Sequence, residues 1–396
     1  MLTKNESSDP ATGRVIGLDL HPDLFSAAAL TGRDAVTAQV VQQWDRLPTG
    51  QLAQWAKRLP PTDLIVVEAS GNSFHAAEQL RGVGLKVLVL ESYQASQVRT
   101  SYCNNDRVSA VKLARVYLSG LAKTVWQPDG PTRERREALH AYRKAVATST
   151  RTKNRLKAYL NQHGVRLKKG VRLTKPSGEA TIRASHPWSP LQRLLVDETL
   201  AELGAAEQRR RRLSAVMAQE VATDPHLLGL MRLMGVRHIV AFAVAAIVGD
   251  IARFANPKKL VAYLGLAPCV DTSGNRERGR ESLVRCGRGD LRALLIQSAQ
   301  NALNQKKSPL HTWGWKLCLR KSNKNVAVAA IARKLTVSIW YLLRGLFTPL
   351  LQLDATLQVK LTKLATAIGL KTIRQLGYPS KAAFIEEKTQ WLLKPT

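Results

Sequence analysis

From Arg14 the chain sets short apolar runs against amphipathic stretches. VIGLDL and LFSAAAL, parted by His21-Pro22-Asp23, have the β-branched and apolar character of two strands joined by a tight turn. LIVVEA (Leu64–Ala69) reads as a third strand, followed by Ser70-Gly71-Asn72 and a short amphipathic helix to about Arg81. Gly82 and Gly84 stop that helix, and LKVLVL (Leu85–Leu90) is the next strand. Strands alternating with helices predict an α/β sheet domain over residues 13–126, behind a polar, disordered tail at 1–12.

Gln127-Pro128-Asp129-Gly130-Pro131 is a breaker cluster that marks a boundary. Beyond it, Thr132 to about Gln162 has helical periodicity, and Gly170–Pro190 is a loop rich in Gly, Pro and Ser. A second long helix is predicted over Leu191–Val221, where Leu194, Leu195, Leu203, Leu213, Val216 and Met217 form an apolar seam for a partner helix. Residues 127–223 are therefore expected to be a basic helical linker or coiled-coil arm. In 224–310, LLGLMRLMGVRHIVAFAVAAIVGDIARF reads as helix, turn at Gly235, helix. Such a helix-hairpin-helix can hold a phosphate on its turn amides and helix N-terminus. Residues 311–396 are expected to be a helical extension, opening on the basic and aromatic HTWGWKLCLRKSNKN.

The charge balance narrows the partners. Lys and Arg number 60 against 29 Asp and Glu, a net of +31. A chain this basic repels itself unless it meets a polyanion, and nucleic acid is the usual one. Residues 131–183 alone carry 15 Lys and Arg against 3 acids, which points to a nucleic-acid-facing arm with Arg151, Lys153, Arg155 and Lys157 at its centre. Cys103, Cys269, Cys286 and Cys318 form no C-x-x-C pair, which argues against a structural zinc or a disulfide framework. The N-terminus lacks an apolar signal core, and the unbroken apolar run Ile239–Val248 is too short to span a bilayer. The expected location is the bacterial cytoplasm, at the nucleoid, with no membrane partner.

Candidate chemistry sits at two strand ends. Asp19 lies near the end of the first strand and Glu68 near the end of LIVVEA, where α/β sheets place their active sites. A carboxylate ending an apolar strand is costly to desolvate unless it meets a cation. Two or three acids there suit Mg²⁺ or Mn²⁺, hard cations that take oxygen ligands. Either acid alone reads better as an ordinary turn or capping residue. Asp106 is a third candidate, at the start of a helix running through KLARVYL. Helical spacing puts Ser109 on nearly the same face, in the place of a further ligand.

GLDLHPD, VVEASG and NNDRVSAVKLA, in this order, resemble the RuvC-like domain of the insertion-sequence 110 family of transposases, which includes the Piv-type DNA invertases. The resemblance implies an RNase H-like N-terminal sheet domain, a helical or coiled-coil region and a mainly α C-terminal transposase domain. It also implies an Asp-Glu-Asp-Asp metal site, with Asp19, Glu68 and Asp106 at the first three acids and Ser109 where the fourth would stand. The stretch from LMGVRHIV to QSAQNAL resembles the family's C-terminal domain, through GD-x-x-RF, LVAYLGLAP and RCGRGDLRALL. Ser273, in Asp271-Thr272-Ser273-Gly274-Asn275, matches the family's catalytic serine, with Ser282 its nearest rival. A serine hydroxyl can attack a phosphodiester and hold the DNA end covalently, given cations to stabilise the phosphate. Arg276, Arg278, Arg280, Arg285 and Arg288 follow closely. The resemblance further implies DNA as donor and target, a structured guide RNA, and a homodimer or homotetramer. Two alternatives stay open: a RuvC-like nuclease without strand exchange, and a non-catalytic nucleic-acid-binding descendant.

Overall fold

The computed structural model describes residues 13–92, 106–168, 170–269, 272–273, 276–277, 283–284, 286–306, 308–346 and 355–393. The chain divides into two compact units, Met1–Gln127 and Pro128–Thr396.

The first unit is a five-stranded mixed sheet with helices on both faces. Its elements are β1 (Val15–Leu20), β2 (Leu24–Thr31), β3 (Gln39–Pro48), α1 (Leu52–Ala56), β4 (Leu64–Glu68), α2 (Ser73–Gly82), β5 (Lys86–Leu90) and α3 (Asp106–Leu118). The strand order is β3-β2-β1-β4-β5. The predicted hairpin is present, β1 pairing antiparallel with β2 from Val15↔Leu30 to Leu20↔Phe25. β4 lies parallel to both β1 and β5. Strand β3, in QVVQQWDRLP, lacks apolar alternation and is largely exposed, so hydrophobic patterning missed it. Ile16, Leu18, Ile65 and Val67 bury one sheet face against Leu52, Trp55 and Leu80. Val15, Val66, Ala28 and Leu30 bury the other against Ala110 and Ala114 of α3. That helix lies directly on β1, because a Cβ at Gly17 would run into the Ala110 carbonyl oxygen and the Ala114 nitrogen. Buried Asp63 locks the sheet's lower edge, accepting from Arg14 Nη2 at 2.7 Å and Arg14 Nε at 3.2 Å.

The second unit is mainly helical. It comprises α4 (Gly130–Gln162), α5 (Pro176–Arg183), α6 (Pro190–Thr223), α7 (Pro225–Leu230), α8 (His238–Val248), α9 (Pro257–Tyr263), a minimal hairpin of β6 (Thr272–Ser273) and β7 (Arg276–Glu277), then α10 (Gly289–Asn304), α11 (Pro309–Lys321), α12 (Lys324–Leu343), α13 (Ala355–Ile368), α14 (Leu370–Gln375) and α15 (Lys381–Leu393). Asp129 caps α4 by accepting from Thr132 N, with Pro131 in the first turn, so the breaker cluster is also a helix start. Ser189 and Gln192 form a capping box on α6. The two long helices run antiparallel, as Arg135 pairs with Glu220 while Ser149 meets Glu207 and Thr152 meets Glu202.

The expected seam on α6 is only partly the packed one. Leu203 and Met217 are buried, whereas Leu194, Leu195 and Val216 are exposed. The stripe that packs near the hairpin tip is Val196, Leu200 and Leu203 against Leu156 and Leu160. It continues through Ala206 and a buried acid, Glu207, which a search for apolar residues passes over. Helix α8 is buried along nearly its whole length. Among the described residues one helix, α12, is long and apolar enough to cross a membrane by length and composition. Here Ala327, Val328, Ile331, Ala332, Leu335 and Ile339 place it in the core of the unit.

Candidate active site

The register of β1 and β4 brings two of the predicted acids together. Leu18 pairs with Val67, so Asp19 and Glu68 are the next residues along two adjacent parallel strands. Leu18 and Val67 face the core under α1 and α2. By the two-residue alternation of strands, Asp19 and Glu68 turn to the opposite face, the one covered by α3. Both are half-buried at the strand ends. Asp19 Oδ2 lies 3.9 Å from Nε2 of His21, the histidine of the β1–β2 turn. The His21 carbonyl accepts from Asn72 Nδ2 and from Thr49 Oγ1, each at 3.2 Å. Asn72 belongs to the loop after Glu68, so one side chain ties together the turns that follow the two acids. Ser73 Oγ closes that loop, accepting from Ser70 N and donating to Ser70 O, each at 3.0 Å.

Asp106 is the first residue of α3, the helix that covers this face; its side chain lies outside the described residues. Ser109 stands one turn on, half-buried, beside Ala110 that meets the sheet. Among the described residues no group of three or more His, Cys, Asp or Glu gathers to hold a metal ion. The described pair, Asp19 and Glu68, offers hard oxygen ligands partly open to solvent, which fits a cation that keeps several waters.

Ser273 closes β6, paired with Arg276 of β7. Gly274 and Asn275 separate them in sequence. The ends of this segment are bound together, with Pro268 bridging to Leu283 and Val284 N donating to Ala267 O at 3.1 Å. Arg292 Nη1 gathers the carbonyls of Gly265, Val284 and Cys286 at 3.0–3.2 Å. Arg278, Arg280, Arg285 and Ser282 lie outside the described residues, as do the side chains of Ser273 and Arg276.

Three predicted contact cations have partners within the fold. Arg288 forks onto Asp290, with Nη2 at 2.8 Å and Nε at 3.2 Å. Burial alone would raise the Asp290 carboxyl, but the Arg288 hydrogen bonds and charge outweigh it and hold it below the usual range. On α4, Lys153 pairs with Glu207 and Arg155 with Glu202, while Arg151 and Lys157 remain exposed. Sequence reasoning missed Arg136, whose Nε donates to Ala246 O at 2.8 Å near the end of α8. Arg253, the arginine of GD-x-x-RF, stacks at 4.5 Å over Phe254 and over Tyr263.

Comparison with known proteins places both regions. Residues 16–165 match the DEDD-type IS110 profile described as "Transposase", and residues 229–312 match "Transposase IS116/IS110/IS902 family". Over 337 residues the chain is 26% identical to a Pseudomonas aeruginosa protein named "Probable family 20 transposase", covering 83% of this chain and 96% of that protein. Over 351 residues it is 24% identical to the Coxiella burnetii "Transposase for insertion sequence element IS1111A", covering 83% and 89%. With both domains present and in order, the chain belongs to the IS110 family of transposases.

Proposed function

We propose that this transposase cuts and rejoins DNA with a metal held by Asp19, Glu68 and Asp106 and with Ser273 as nucleophile. The observation that carries the reading is the parallel register of β1 and β4, which sets Asp19 beside Glu68 on the face under α3. The order β3-β2-β1-β4-β5 with β2 antiparallel supports a RuvC-like, RNase H-like sheet. Mg²⁺ or Mn²⁺ bound there would polarise a phosphoryl oxygen and stabilise a leaving oxygen. Ser109 or a water would complete the ligand shell. Asn72, through the His21 carbonyl, holds the two acid-bearing turns at a fixed spacing.

Ser273 Oγ gives up its proton and forms a bond to phosphorus. The bond from phosphorus to the departing deoxyribose oxygen breaks, and that oxygen takes up a proton. The serine ester conserves the phosphodiester energy, so a hydroxyl of another strand can reverse the step and rejoin. Gly274 leaves room for DNA to approach. The exposed Arg151 and Lys157 of the 131–183 arm would hold a structured guide RNA through its phosphates, and a homodimer or homotetramer would hold several DNA ends at once.

A suicide duplex nicked near the cut tests this. Wild type should form a covalent adduct that peptide mapping places on Ser273. Glu68→Ala should abolish cleavage and keep DNA binding. An adduct on Ser282, or full cleavage by Ser273→Ala, would remove the serine from the mechanism. Full cleavage in excess EDTA would remove the metal.

A further inference from the structure

The positive charge belongs almost wholly to the second unit. Residues 1–127 hold 13 Lys and Arg against 11 Asp and Glu, a net of +2, which leaves +29 of the chain's +31 to residues 128–396. Within that unit a groove of about 840 Å³ runs between α4, α6, the start of α8 and α10. Its described walls carry Arg143, Lys153, Arg210 and Arg237 against one carboxylate, Glu207. Glu207 is already engaged by Lys153 Nζ at 2.8 Å and Arg210 Nη2 at 2.9 Å. Arg143 lies 3.9 Å from Asp290, whose carboxylate is taken up by Arg288. Arg143 and Arg237 are exposed.

The groove continues past Gly235. A second hollow of about 280 Å³ shares Gly235, Arg237 and Asn301 with it and adds Lys360 and Lys363. The turn between the two is rigid. Gly235 has φ +73° and presses on α10, where a Cβ would strike the Ser298 carbonyl. Lys360 Nζ holds the same turn by donating to Met231 O at 2.7 Å and Leu233 O at 2.6 Å. No side chain caps α8, so its first amides open beside Arg237. The larger cavity far exceeds the roughly 30 Å³ share of a single water, so a lone small anion would leave it mostly empty. The rings in its described lining are Tyr142 and the His238 imidazole, which offer little for stacking a run of unpaired bases. Phosphate oxygens on a continuous backbone match such a row of donors.

We propose that this groove, from Arg143 past Arg237 to Lys363, seats the sugar–phosphate backbone of duplex DNA. The inference rests on the reading that the chain acts on DNA, and it assigns to that act residues other than the carboxylates and the serine segment. The test titrates full-length protein against a fluorescein-labelled DNA duplex of mixed sequence, by anisotropy at several KCl concentrations. Each neutralised phosphate contributes about 0.9 to the slope of log K against log salt. The double variant Arg237→Ala/Lys363→Ala should therefore lose about two from that slope and bind at least about tenfold more weakly. Arg237→Lys/Lys363→Arg should keep the slope, separating lost charge from lost folding. Lys371→Ala/Arg374→Ala, which removes two exposed cations from α14, should leave it unchanged. Equal losses in the groove and α14 variants, or no loss in either, would overturn the proposal while leaving the transposase reading intact. A loss seen on an RNA duplex but not on DNA would also overturn it. Failure of wild type to bind any DNA duplex would overturn both.

Discussion

At the scale of single residues, Ser109 and Glu207 show how position changes the meaning of a side chain. Ser109 stands one helical turn after Asp106, where the family pattern has its fourth acid. Ser109→Asp should keep cleavage and lower the Mg²⁺ concentration needed for half-maximal rate, read by cleavage at graded Mg²⁺; an inactive variant would mean that Ser109 serves a different arrangement. Glu207 is buried between the long helices, and burial alone would raise its carboxyl. Hydrogen bonds from Lys153, Ser149 and Arg210 outweigh that and hold it down at about 2, against an ordinary 4.5. The folded value is the lower one, so the stabilisation is present above about pH 4.5 and is lost as pH falls toward 2. Glu207→Gln should cost about 2 kcal/mol at pH 7 and progressively less below pH 4. Urea denaturation at pH 7 and pH 3 checks this, and an equal cost at both would remove the linkage. The placement of Asp19 and Glu68 was legible because each lies at or next to the end of an apolar strand. Glu207 was not, since two of its three partners, Lys153 and Ser149, lie 54 and 58 residues away in α4.

Elements explain which parts of the site could be read and which could not. β1, β2, β4 and β5 announce themselves because both faces are buried and the runs are nearly pure Val, Ile, Leu and Ala. β3 does not, being an edge strand with most of its residues in solvent. The tie made by His21 became visible only in the fold, where its carbonyl joins the β1–β2 turn to Asn72 ahead of α2. Gly17 is the clearest case of an element-level constraint. It is the point where α3 crosses β1 in van der Waals contact, and α3 carries Asp106 and Ser109. Gly17→Ala puts a methyl into the Ala110 carbonyl, so the helix must move away from the sheet. Overpacking of this kind costs about 1–3 kcal/mol. Because the displaced helix carries site residues, cleavage should fall much further than the folded fraction does. Thermal melting beside a single-turnover cleavage assay measures both. A variant that loses stability and keeps the full rate would show that the seating of α3 does not set the site.

For the whole molecule, the division at Gln127 separates two different physical jobs. The first unit has its own two cores on either side of the sheet, through Leu18, Trp55 and Val67 on one face and Val66, Ala110 and Ala114 on the other. The second has a large helical core built around α8 and a smaller one near the tip of the long hairpin. A unit that buries its own core can fold by itself. Charge divides in the same place, with +2 before the break and +29 after it. Net charge and electrostatic attraction to phosphates scale together, and in binding to DNA that attraction is the part most sensitive to salt. Two fragments, 1–127 and 128–396, should therefore each melt cooperatively when made separately. The larger should keep most of the full-length affinity for a DNA duplex and nearly all of its salt dependence. The smaller should bind the same duplex weakly at physiological salt, despite holding Asp19, Glu68 and Asp106. Circular dichroism melts and anisotropy titrations of each fragment read both halves of the argument. A folded 1–127 fragment that matched the full chain in affinity and salt slope would show that the acidic site, not the basic unit, is what grips the DNA.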